Sequence, residues 1–233
     1  MESVLDVFFP RHCPVCDGFL RVGAQVHPVC ATKWKRITGA ICLRCGKALS
    51  AADRDEAYCK DCKRRRHFFD RGIAVFPYRS IASSLYRFKY EGRQEYAAYF
   101  GQEIFLHCAS FLAQIRPDAL IPVPMYEKKR RSRGYNQAAL LAREVSKRSG
   151  IPMKDHLVIR VKNTAPQKQM DVHRRRQNLK NAFFLRESVV ELKCVVIIDD
   201  IYTTGSTMDA LATLLKANGV HRVYAVSLSI GTL

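Results

Sequence analysis

Two adjacent carboxylates, Asp199 and Asp200, stand between an apolar run, Val195-Val196-Ile197-Ile198, and a turn of small residues, Thr203-Thr204-Gly205-Ser206-Thr207. A parallel strand buried on both faces needs a continuous apolar run, and Val195 to Ile198 supply one. Met208, Leu211, Ala212 and Leu215 then fall on one face of a helix. The first N–H groups of a helix are unpaired and carry partial positive charge, so a hydroxyl-lined turn at that point cradles phosphate. Paired acids at the carboxyl end of the strand suit the vicinal hydroxyls of a sugar. Together these residues describe a site for a ribose 5-phosphate, whereas helix capping alone would need one hydroxyl and no acids.

Residues 195–207 resemble the signature of the type I phosphoribosyltransferases: an apolar strand, two acids, two further residues and a Thr-Thr-Gly-x-Thr-like loop. The resemblance implies that Asp199 and Asp200 hold the 2- and 3-hydroxyls of 5-phosphoribosyl 1-pyrophosphate (PRPP). It implies also that Thr203, Thr204, Gly205, Ser206 and Thr207 hold its 5-phosphate.

The cysteines point to a second chemistry. Cys13-Pro-Val-Cys16, Cys42-Leu-Arg-Cys45 and Cys59-Lys-Asp-Cys62 share one spacing, and His27-Pro-Val-Cys30 repeats it with a histidine. A tight turn of that length aims two side chains at one zinc ion. Chain order groups Cys13, Cys16, His27 and Cys30 in one tetrahedral site and Cys42, Cys45, Cys59 and Cys62 in another. An interleaved pairing satisfies the same spacing, and His12 lies close to the one histidine donor. Four protein ligands leave no place for water, so both ions would be structural, supplying folding energy to a segment too short for its own core.

These groups require an α/β framework to position them. The pattern predicts a small zinc-ribbon domain over residues 1–68. A domain over 69–233 follows, with a mostly parallel sheet and helices on both faces, like that of a type I phosphoribosyltransferase. Strands are expected near 72–78, 119–124, 156–161, 193–199 and 222–229, and helices near 81–90, 94–115, 136–148 and 207–218. In such sheets ligands bind beyond the carboxyl ends of the strands, where the two acids are placed. The net charge of +18 in 233 residues favours an anionic partner: a phosphorylated small molecule, nucleic acid or a membrane surface. No stretch approaches the length of a membrane span, and no basic segment followed by an apolar core opens the chain, so a cytoplasmic protein is expected.

Two more loops are expected at the same sheet edge. Met125 to Gln137 carries Lys128, Lys129, Arg130, Arg131 and Arg133 against one acid, Glu127, and is placed to receive a pyrophosphate, with Gly134 letting the backbone approach. Lys129, Arg130 and Arg131 are the candidate PRPP contacts here, and Arg133 joins the two aspartates as a candidate catalytic group. Residues 160–181 carry seven Lys or Arg against one Asp and read as a hood over the pyrophosphate, with Arg174, Arg175 and Arg176 as nucleic-acid candidates. Tyr86, Phe88 and Tyr90, interleaved with Arg87, Lys89 and Arg93, could stack on single-stranded bases, though aromatics alternating in this way more often serve as half-buried packing.

The cysteine knuckles resemble the ComF family, a double zinc ribbon joined to a phosphoribosyltransferase domain, when they are taken with three further segments. These are Pro122-Val-Pro124 with Arg133-Gly-Tyr-Asn-Gln137, Thr164-Ala-Pro-Gln167 with Arg175-Arg-Gln-Asn178, and Asp199-Asp-Ile-Tyr-Thr-Thr-Gly205. The chain departs from that pattern at His27, where cysteine is usual, at Tyr202, where an aliphatic residue is commoner, and at Tyr135, where phenylalanine is common. The resemblance implies a bacterial cytoplasmic protein that handles DNA taken up by competent cells beside a ComFA-like helicase. It leaves two functions open. One is a phosphoribosyltransferase that uses PRPP and Mg²⁺ on an unknown acceptor. The other is a non-catalytic nucleic-acid-binding or adaptor protein that keeps the fold as a scaffold or PRPP sensor.

Overall fold

A computed structural model describes residues 10–161 and 182–231. Thr164 to Gln167 and Arg174, Arg175 and Arg176 lie outside the described residues. The N-terminal part holds two short helices, α1 (Pro28–Ala31) and α2 (Lys60–Arg64). Then come β1 (Arg71–Pro77), α3 (Tyr78–Tyr90), α4 (Tyr96–Ile115), β2 (Ala119–Pro122), α5 (Glu127–Arg133) and α6 (Gln137–Ser149). After these follow β3 (Val158–Arg160), β4 (Phe183–Leu185), β5 (Cys194–Tyr202), α7 (Ser206–Ala217) and β6 (Arg222–Ile230).

Four strands form one parallel sheet in the order β1-β6-β5-β2, and β3 and β4 form a separate antiparallel pair. The helices cover both faces, as the sequence predicts. Val196 and Ile198 of β5 enter a core with Phe88, Phe100, Leu141 and Val145 from α3, α4 and α6. Val195 and Ile197 point to the opposite face, where they meet Met208, Leu211 and Leu215 of α7 and Phe183 of the hairpin. Alternation along one strand thus serves two layers, which is why the run has to be apolar throughout.

The second cysteine region packs into this same layer. Cys42, Cys45 and Cys59 share a cluster with Phe69, Ala74 and Tyr202. Its knuckle lies along β1, the outer strand of the sheet: the Gly72 N–H donates to the Arg44 carbonyl at 2.6 Å, and the Ile37 N–H donates to the Val75 carbonyl at 2.8 Å. Gly46, at φ +77°, has no room for a side chain, since a Cβ there would come within 2.8 Å of Ile73 Cα and 2.9 Å of the Ala74 nitrogen.

The first cysteine region is attached differently. Among the described residues, its own cluster has Leu20 beside Cys13 and Cys30 as buried members. A fully buried leucine contributes about 1.5–3 kcal/mol, too little to order some thirty residues, so the metal-ligating tetrad and contacts to the helices must hold the unit. Asp17 supplies one set of these contacts, with Arg93 forked onto its carboxylate at 2.9 and 3.1 Å and the Tyr96 hydroxyl donating at 2.5 Å, and Val26 packs against the main core. Burial works against the Asp17 carboxylate, but Arg93 and Tyr96 outweigh it and hold its carboxyl below the usual range.

Candidate functional site

Strand β5 runs past its partner β2, which ends opposite Ile198, so Asp199 and Asp200 lie beyond the end of β2 while β5 stays paired with β6 as far as Tyr202. The two acids line a cleft with Lys89 of α3, Val123, Pro124 and Met125 after β2, Lys129 and Arg133 of α5, Asn136, Arg160 of β3 and Thr207. Asp200 is already engaged there: its Oδ2 accepts from Lys89 Nζ at 2.7 Å, with both side chains mostly enclosed. Asp199 Oδ1 accepts from the Asp200 N–H at 2.8 Å. Burial, then the neighbouring Asp200 carboxylate, push the Asp199 carboxyl up to about 8 against the opposing pull of Lys89.

Beside the cleft, residues 201–208 surround a hollow that shares Asp199 and Thr207 with it. Thr204 Oγ1 and Ser206 Oγ lie 2.9 Å apart, Thr204 Oγ1 accepts from the Ser206 N–H at 3.5 Å, and the first turn of α7 begins at the hollow. Gly205 turns the chain at φ +78°, which glycine alone adopts without strain. A Cβ there would lie 2.8 Å from Tyr202 Cζ and 2.9 Å from His67 Cε1. Those two rings belong to a buried chain of contacts. Tyr202 Oη is 3.4 Å from His67 Nε2, His67 Nδ1 is 2.9 Å from Asp209 Oδ2, and Asp209 Oδ1 accepts from the Phe68 N–H at 2.8 Å. The turn therefore rests on the segment that leaves the second cysteine region. Gly205→Ala is expected to lose about 2–4 kcal/mol of stability, combining left-handed strain with overpacking. Denaturant unfolding measures this, and a loss under about 1 kcal/mol would show that the turn has room to shift.

Part of the basic segment differs from the sequence reading. Residues 127–133 form helix α5 and not a loop, and Gly134 is its left-handed cap at φ +83° with open space around it; the glycine ends the helix and is not among the residues lining the cleft. One helical turn apart, Lys129 and Arg133 face the cleft. Arg130 and Arg131 are instead drawn to Glu127, at 2.8 and 3.1 Å, and neither lines the cleft. Three lining residues, Lys89, Asn136 and Arg160, were not singled out for this site by the sequence. Asn136 was legible as the cap of α6, where its side chain accepts from the Ala138 N–H.

The proposed aromatic stack also changes. Phe88 is wholly buried against Phe100 and Tyr135, because a helix returns to the same side every three or four residues and not every two. Tyr86 and Tyr90 stand on the outer side, exposed and 5.0 Å apart, and the Arg133 guanidinium lies 4.8 Å over the Tyr90 ring. Arg87 and Arg93 are turned to Asp17.

The metal-ligating residues fall into two tetrads in chain order. Donor atoms of Cys13, Cys16, His27 and Cys30 lie within 4.8 Å of one another, as do those of Cys42, Cys45, Cys59 and Cys62. His27 turns Nδ1 toward Cys16 Sγ at 3.3 Å, while Nε2 is 2.9 Å from the Phe19 carbonyl. A hydrogen bond from Nε2 to a carbonyl is what orients a zinc-bound histidine through Nδ1. His12 faces Glu95 instead, at 3.5 Å. The clusters support two structural zinc ions.

Comparison with known proteins agrees with this geometry. Residues 4–63 match the model of the double zinc ribbon domain, and residues 131–229 match that of the phosphoribosyl transferase domain. Competence protein F of Haemophilus influenzae is 32% identical, over 93% of this chain and 95% of that protein. The chain belongs to the ComF family. Other ComF relatives are the DNA utilization protein YhgH of Escherichia coli O157:H7, 31% identical over 92% of this chain and 94% of its own length, and competence protein ComFC of Bacillus subtilis, 30% identical over 89% of each. A purine phosphoribosyltransferase from Pyrococcus horikoshii aligns over 57% of this chain and 73% of its own, at 18% identity and a TM-score of 0.37. Among the described residues no helix is long and apolar enough to cross a membrane.

Proposed function

We propose that this ComF protein binds PRPP with Mg²⁺ and acts in the uptake and handling of DNA, contacting single-stranded DNA. The observation that carries the small-molecule part is the junction of an acid-lined cleft with a phosphate-sized hollow, joined through Asp199 and Thr207. The ribose hydroxyls would meet Asp199 and Asp200, and the 5-phosphate would meet Thr203 to Thr207. Lys129, Arg133 and Arg160 crowd the remaining wall. Burial first, then Arg160 and Arg133, hold the Lys129 pKa below the usual lysine value, a strain that a bound pyrophosphate relieves.

The acids fit a magnesium–PRPP complex, since Asp199 Oδ2 and Asp200 Oδ1 make no hydrogen bond to the described residues. Magnesium prefers oxygen ligands, so Asp199 and Asp200 would help hold it beside the ligand, where it would offset the charge of the pyrophosphate. If transfer follows, the bond from C1 to pyrophosphate breaks and an acceptor nucleophile forms the new one. Asp199 and Asp200 orient the sugar, and the cations, Arg133 among them, take up the charge leaving C1, so the protein contributes positioning and electrostatics. Calorimetric titration of PRPP with Mg²⁺ into the full chain is expected to show saturable binding, and its absence would overturn this reading.

The DNA part rests on the names of the relatives and on the exposed Tyr86–Tyr90 pair with Arg133 against it. Exposed rings give bases a stacking surface, and cations give the backbone its counter-charge. Affinity for a single-stranded oligonucleotide is expected to fall with salt, with a log–log slope of about −0.7 per phosphate neutralised. Replacing both tyrosines by alanine lowers affinity and leaves the slope unchanged; a flat salt response in the native chain would exclude this contact. A ComFA-like helicase is the partner this role calls for.

A further inference from the structure

Lys89 is the charged group that the PRPP reading does not account for. It sits in the last turn of α3, next to the buried Phe88, and its ammonium is carried out of water to the base of the cleft. Burial works against that charge, yet the Asp200 carboxylate, helped by Asp199, outweighs it and holds the Lys89 pKa above the usual lysine value. An enclosed ammonium of this kind persists only where its partner is fixed. The ion pair occupies one of the three N–H groups of Lys89 and one oxygen of Asp200, leaving donors and an acceptor at the cleft surface.

We infer that Lys89 is the resident cation of the acidic pair: it fixes the Asp200 carboxylate in the rotamer that meets the ribose and offers its remaining protons to the pyrophosphate. This rests on the PRPP reading and deepens it. Its consequence is a particular metal response. Two adjacent carboxylates beside a highly anionic ligand need positive charge between them. An ammonium built into the fold supplies part of it before any magnesium arrives, so PRPP affinity depends less steeply on Mg²⁺ than two bare acids would require.

The test is calorimetric titration of PRPP into the full zinc-loaded chain at a series of Mg²⁺ concentrations, for the native protein, Lys89→Met and Lys89→Arg, with thermal melting of each as a check on folding. Lys89→Met is expected to bind PRPP about 30-fold more weakly at low Mg²⁺, the smallest loss typical of truncating one partner of a buried charge pair, and to regain most of that affinity at high Mg²⁺. Lys89→Arg restores charge to the site and is expected to stay within about threefold of the native protein in affinity and slope. Should Lys89→Met fold, bind weakly and keep the native Mg²⁺ slope, or should it bind as the native chain does, the inference fails while PRPP binding stands. If Lys89→Met does not fold, an Arg variant with the native fold and a steepened slope refutes it, and one with the native slope supports it. No PRPP binding by the native chain would remove both.

Discussion

Replacing Asp199 and Asp200 together by alanine is expected to weaken PRPP binding by about a hundredfold or more, since two sets of charge-assisted hydrogen bonds, each contributing about 1.5–3 kcal/mol, are lost. The variant also leaves Lys89 enclosed beside no carboxylate, so melting should be followed in parallel to separate binding from folding. The single change Asp199→Asn keeps shape and isolates charge. In the free protein the Asp199 carboxyl holds its proton up to about 8. A diol is gripped best by ionised acceptors, so binding releases that proton and tightens as pH rises toward 8, by at most about tenfold per unit. Asp199→Asn has no such proton and is expected to lose this part of the pH slope. Native affinity in the double variant would show that the acids do not touch the ligand.

Cys45→Ser is expected to do more damage than Cys16→Ser, although each removes one ligand from one tetrad. Cys45 is buried in the layer that includes Phe69, Ala74 and Tyr202, and Tyr202 in turn touches His67 beneath the turn at Gly205. A structural zinc site carries about 10–16 kcal/mol of apparent binding energy, comparable to the whole stability of a domain. Its loss at this position therefore reaches the sheet and the turn. Cys16 is exposed, and its tetrad sits on a small cluster of Cys13, Leu20 and Cys30 that side-chain contacts such as Asp17 to Arg93 tie to the helices. Metal analysis of both variants should find one zinc per chain, but only Cys45→Ser should abolish cooperative melting and PRPP binding together. Equal melting curves would show that the two ribbons are energetically equivalent.

Much of the framework was legible because it is written in local pattern. The continuous apolar run of β5, the small-residue turn and the spacing of the cysteines each follow from short stretches of sequence. The exceptions share a cause. Helix α5 has no apolar stripe to give it a period, and its helical signals are confined to its ends: Glu127 placed three and four residues before Arg130 and Arg131, and Gly134 just past its last turn. Phe88 takes the packing alternative, while Tyr86 and Tyr90 are exposed, because the 3.6-residue period and not alternation sorts their faces. Lys89 and Asp200 are far apart in the chain, as are His67 and Asp209, and nothing local announces that the end of α3 or the exit of the second ribbon will reach the site. Arg160 became visible as a lining residue only once β3 had paired with β4.

The docking of the second ribbon along β1 has a consequence for the metal-free protein. A parallel sheet ends in a row of backbone groups that invite another strand, and here the contacts from Arg44 and Ile37 close part of that row. Chelation would withdraw the guard as well as the ion. Apo protein should then self-associate through its outermost strand, making zinc supply a determinant of solubility as much as of folding.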